Sequence, residues 1–113
     1  MKASPASLAK RLQRATGPDD HLDKAIAAMF PEAGGNPDTP AYTASVDACI
    51  ALIKHVCPHW HWHVGHGPTG IVPYASMTEE TKSEDGAHVE ATAPTVPLAL
   101  LRVLFMALDS TNG

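Results

Sequence analysis

The sequence predicts an α+β domain: four helices and a small three-stranded antiparallel sheet packed between helices, an αβα layered sandwich. Three observations carry this prediction. The 113 residues, 44% of them hydrophobic, suit a single domain over 1–113 with one core. The apolar residues recur every three to four positions up to about residue 55 and every two positions from residue 59, a change from helical to strand period. The segments joining the strands are shorter than the dozen or more residues that a parallel crossover needs, so consecutive strands pair antiparallel as a meander.

Each element follows from local chemistry. Ser4-Pro5 opens a helix over 5–15, because Ser caps and Pro is tolerated at the first helical position. Leu8, Leu12 and Ala15 mark one face, Lys10, Arg11 and Arg14 the other, and Gly17 ends it. A second helix spans 19–30, where Asp19 and Asp20 meet the positive end of the helix dipole and Leu22, Ile26, Met29 and Phe30 form a buried stripe. Residues 31–40, rich in Pro and Gly, read as a loop. A third helix covers 44–55 with Val46, Cys49, Ile50 and Ile53 on its face, and Pro58 stops it.

Then the pattern alternates. In His59-Trp60-His61-Trp62-His63-Val64 the apolar residues point inward from a strand over 59–64, and the imidazoles point outward. Residues 65–70 form a turn, and a second strand runs over 71–77. Pro73 within it argues for an edge position or a bulge. A third strand covers 87–92. The last helix, 96–108, is apolar almost all round from Leu98 to Leu108 except for Arg102, which places it deep in the core.

The formal charge of −4 is local. Residues 79–90 hold Glu79, Glu80, Glu84, Asp85 and Glu90 against Lys82, four net negative charges, and the rest of the chain balances. A basic stripe of the kind that holds nucleic acid is not expected. No apolar stretch reaches the roughly 20 residues of a membrane span, and no secretory h-region is present, so a cytoplasmic protein is expected. Cys49 and Cys57 are too few for a disulfide framework and read as buried thiols.

Read together, Ala15-Thr16-Gly17-Pro18-Asp19, Leu22-Asp23-Lys24-Ala25-Ile26-Ala27, Tyr42-Thr43-Ala44-Ser45-Val46-Asp47-Ala48, Trp60-His61-Trp62 and Pro97-Leu98-Ala99-Leu100 resemble the phage ABA sandwich domain family, over residues 7 to 108. The resemblance implies a layered domain in a phage or prophage setting, and so a bacterial host cell. It implies no activity. The His spacing around the tryptophans and a longer acidic loop depart from the family pattern.

His59, His61, His63 and His66 put four of the seven histidines within eight residues. Neighbouring i and i+2 imidazoles share a strand face about 7 Å apart, while His59 and His63 lie about 13 Å apart. A metal site, for zinc or another divalent transition metal, therefore takes one His-x-His pair and a further ligand such as His66, His88 or Glu90. The alternative reading is the polar face of a half-buried strand. The glycines of 65–70 lack the Lys-Ser or Lys-Thr and the helix start of a phosphate loop. Ser45, Asp47, His55 and Cys57 supply the residue types of a triad but nothing aligns them, and Ser45 and Asp47 read as capping and dipole residues at a helix start. Asp19, Asp20 and Asp23 read as helix-start acids, and Trp60 and Trp62 as core.

The sequence thus predicts a non-catalytic accessory protein that binds a host or phage protein through Glu79, Glu80, Glu84 and Asp85, with no catalytic residues assigned. The competing expectation is a metal-binding protein or metal-dependent hydrolase built on His59, His61, His63, His66 and His88. Self-association through the sheet edge near Pro73 is a third.

Overall fold

Seven elements follow one another: α1 (Pro5–Arg14), α2 (Asp20–Met29), α3 (Val46–Val56), β1 (Trp60–His66), β2 (Pro73–Glu79), β3 (His88–Thr92) and α4 (Val96–Asn112). The computed structural model describes residues 5–30, 41–66, 72–80 and 88–112, with side chains over 6–30, 41–66, 72–80 and 88–108. The expected loop at 31–40, most of the turn at 65–70 and most of the acidic loop, including Glu84 and Asp85, lie outside the described residues. The α+β class, the element order and the antiparallel meander are those read from the sequence.

Capping fixes three helix starts, the last that of α4, where Thr95 Oγ1 accepts from Leu98 N–H at 3.3 Å. Asp19 Oδ1 accepts from the N–H groups of His21 and Leu22 at 2.9 and 3.2 Å, and Ser45 Oγ accepts from Ala48 N–H at 3.1 Å. All three satisfy donors that the helix itself leaves unpaired. Leu8 and Leu12 of α1, Leu22 and Ile26 of α2, and Cys49, Leu52 and Ile53 of α3 all enter the core. Helix α4 is its centre: residues 98–101, 103–105 and 107 are buried. It runs four residues beyond the expected Leu108, because a formed helix gains one backbone bond per added residue without needing an apolar one.

The sheet order is β1-β2-β3, so the strand that carries Pro73 is central and not an edge. Pro73 is its first residue, a permitted position. It still accepts from Ala93 N–H at 3.2 Å, and the donor it lacks is missing only at the end of the ladder. Self-association through an edge near Pro73 is thereby corrected, for the free edges belong to β1 and β3.

The helices gather on one side. Helix α4 lies against β2 and β3, and touches β1 least, while α1 and α3 pack on α4 and α2 packs on α1. Among the described residues the layers therefore run sheet, then α4, then the other helices. The inner face is made by Trp62-Met77-Val89 and Val64-Ala75-Ala91 in register across the strands. Met77 and Ala75 are fully buried, whereas Trp62 and Val64 on β1 are half-buried.

Candidate functional site: the outer face of the sheet

Three rows of side chains cross the other face: His61-Thr78-His88, His63-Ser76-Glu90 and Gly65-Tyr74-Thr92. Their placement follows from the two-residue period, and β1 keeps an unbroken register with β2 from Trp60↔Glu79 to His66↔Pro73. His61, His63, His88 and Glu90 are exposed. Strand β1 continues through Gly65, beyond the expected end at Val64, paired with Tyr74 and Pro73 of β2, and the Tyr74 ring lies over that glycine. A Cβ built there would sit 2.9 Å from Tyr74 Cε1.

The imidazoles have short-range partners. His61 Nε2 lies 3.7 Å from Glu80 Oε2, and His88 Nε2 lies 3.8 Å from Glu90 Oε2. His88 Nδ1 and Thr78 Oγ1 share a hydrogen bond of 2.7 Å. The two imidazole–carboxylate contacts sit at opposite margins of the face, separated by β2, and both are well exposed. Exposed pairs of this kind contribute little to stability, about 0–1 kcal/mol.

The regular register splits the expected histidine cluster. His61 and His63 share the outer face, but His66 falls on the other parity, with Trp60, Trp62 and Val64. It therefore does not supply the third ligand on this face. His59 precedes β1, exposed, and its carbonyl accepts from Glu80 N–H at 2.6 Å. Among the described residues, no three His, Cys, Asp or Glu side chains converge on a point that would hold a metal ion. The acidic segment divides in the same way: Glu80 is outward beside His61, while half-buried Glu79 stands opposite Trp60 on the helical side.

Elsewhere the polar side chains are committed to the fold. Asp23, nearly buried, accepts from both Thr43 N–H and Thr43 Oγ1 at 2.8 Å, and Thr43 Oγ1 accepts from Asp19 N–H at 2.7 Å. This latch joins the start of α2 to the turn that precedes α3. Its acids bind the backbone and are not paired for acid-base chemistry. The Cys49 thiol donates to Tyr42 O at 3.0 Å; burial, with Asp23 nearby, pushes its pKa up to about 12. Burial also raises Cys57 and, with Cys49 and Asp23 adding, Tyr42. These thiols are held protonated, the opposite of an activated nucleophile.

Arg102 is the polar group that sequence reasoning left without a role. Its Nε donates to Leu12 O at 3.0 Å, Nη1 to Thr92 O at 2.7 Å, and Nη2 to Gln13 O at 2.9 Å and Ala15 O at 3.4 Å. One guanidinium thus caps the last turn of α1, where a cation is favoured, and ties it to β3. Desolvation lowers its pKa. The signal was a single cation in an otherwise apolar helix, which has to find acceptors when buried.

No helix among the described residues is long and apolar enough to cross a membrane. Comparison of the chain with protein-family models, with curated proteins and with solved structures returns no match.

Proposed function

We propose that the protein is a small accessory protein of a phage or prophage, working in the host cytoplasm without a catalytic step, and that it binds another protein through the outer face and acidic end of its sheet. The observation that carries this reading is the contrast in commitment. Buried Asp23 and Thr43, together with Arg102, are used up in holding elements together, whereas His61, His63, His88, Glu80 and Glu90 stand exposed on a face with no described helix over it. Exposed polar rows on a rigid sheet offer a partner hydrogen bonds at fixed spacing, and the flanking acids favour a basic surface. The phage setting rests on the sequence resemblance alone.

The test compares capture from host lysate by the tagged wild type and by two variants. One combines E79Q, E80Q, E84Q and D85N; the other combines H61T and H63T. A stoichiometric partner held by the wild type and lost by about tenfold or more in both variants supports the reading. Equal retention by all three proteins overturns it.

A metal-dependent reading draws on the His61–Glu80 and His88–Glu90 pairs, each an imidazole and a carboxylate that suit a divalent transition metal. It requires a further ligand at each pair. Stoichiometric zinc, nickel or copper in protein purified without an immobilised-metal step would favour it over protein binding.

A further inference from the structure

The two edges of the sheet turn different residues outward, apolar Trp62 and Val64 on β1 and polar His88, Glu90 and Thr92 on β3, as ladder parity shows. Glu80 N–H bonds His59 O, and bonded pairs alternate along an antiparallel ladder. His61, His63 and Gly65 therefore direct their backbone groups to β2, while Trp62 and Val64 direct theirs away from the sheet. On the far side Ala93 N–H bonds Pro73 O, so the exposed polar residues His88, Glu90 and Thr92 turn their backbone groups outward from β3, and Arg102 takes the Thr92 carbonyl. On β1 the outward N–H of Trp60 is taken by Cys57 O at 3.2 Å. No described residue takes those of Trp62 and Val64.

We infer that the β1 edge binds the β1 edge of a second copy of this chain, antiparallel about a two-fold axis at His63, to form a continuous six-stranded sheet. The strand is self-complementary in this register. The outward pair Trp62 and Val64 of one copy stand opposite Val64 and Trp62 of the other and exchange N–H···O bonds. Their side chains, half-buried in the single chain, meet on the helical face as aromatic against β-branched, a favourable cross-strand pair. The same register sets His61 opposite Gly65 on either side of the axis, and the ladder ends at Trp60, whose N–H is held by Cys57 O. Beyond the Cys57 carbonyl on the Trp60 N–H, β1 carries no protection of its own, since it contains no Pro, no Lys and no bulge.

Three substitutions test the pairing. V64P removes an edge donor and no bond to β2, and sedimentation over a wide concentration range reads its effect. The wild type is expected to be a dimer, with V64P weakening association by about tenfold or more and V64T leaving it unchanged. H63C reads the register independently of V64P folding. Two His63 positions facing each other across the axis form a non-bonded pair about 4.5 Å apart at Cα, inside disulfide range, whereas two His61 positions lie about 13 Å apart. Mild oxidation is expected to link H63C into a covalent dimer and to leave H61C unlinked, because native Cys49 and Cys57 are buried. A wild type that stays monomeric, with the edge left to an extended segment of another protein, overturns the inference. So does V64P associating as the wild type does, or H61C linking as readily as H63C.

Discussion

The two edge strands share one backbone chemistry and are held differently. Strand β3 is tied at its end by a residue outside the sheet: Arg102, from α4, takes the outward carbonyl of Thr92 and holds the last turn of α1 with the same guanidinium. Strand β1 is longer, is least supported by α4, and keeps Trp62 and Val64 half-buried with outward backbone groups. A strand's own residues thus do not decide how firmly its edge is tied to the core. The neighbouring helix does, and it supports one side of the sheet more than the other.

Substitutions sharpen this asymmetry, and the largest effect is expected midway between the edges. Met77 is fully buried on the inner face of β2, and M77A is expected to cost about 3 kcal/mol by removing its packing and leaving a cavity, read as a lower denaturation midpoint. At the tied edge, R102M leaves the Leu12, Gln13 and Thr92 carbonyls without their charged donor, for about 2 kcal/mol. Hydrogen exchange should then quicken together in β3 and the end of α1. R102K should recover only part, since an ammonium does not fan across four acceptors.

Behind the sheet, the raised thiol of Cys49 makes stability fall with alkali. The folded chain keeps its proton up to about pH 12, whereas an unfolded thiol loses it near the ordinary 9.0. The contribution is therefore complete below about pH 9 and is lost between there and about pH 12. By pH 10 the loss is about 1 kcal/mol, and C49A should remove most of it from a denaturant series.

On the outer face, H61T with H63T should change stability by less than about 0.5 kcal/mol, because both imidazoles are exposed and Thr suits a strand. A loss above about 2 kcal/mol would show that the face is structural after all.

Much of the fold was readable because its signals are local. The stripe Leu22, Ile26 and Met29, the Ser45 cap and the His-Trp alternation each announce an element within a few residues. The candidate site was less legible. The histidines were visible as a run, but the separation of His66 from His61 and His63 depends on β1 continuing without a bulge through Gly65. That in turn depends on pairing with Tyr74, nine residues later. Pro73 misled for a related reason: proline excludes a strand interior, yet a first residue at the end of a central ladder loses almost nothing.

The sequence by itself determined the element types, their order and the antiparallel meander, because periodicity, caps and short connections act over a turn of helix or a few residues of strand. Only the tertiary structure decided which strand is central, which side the helices take, what Arg102 holds and which backbone groups are left outward. Those outcomes belong to pairs such as Arg102 with Leu12 or Asp23 with Thr43, far apart along the chain, whose meeting is set by packing around α4 and by no local pattern.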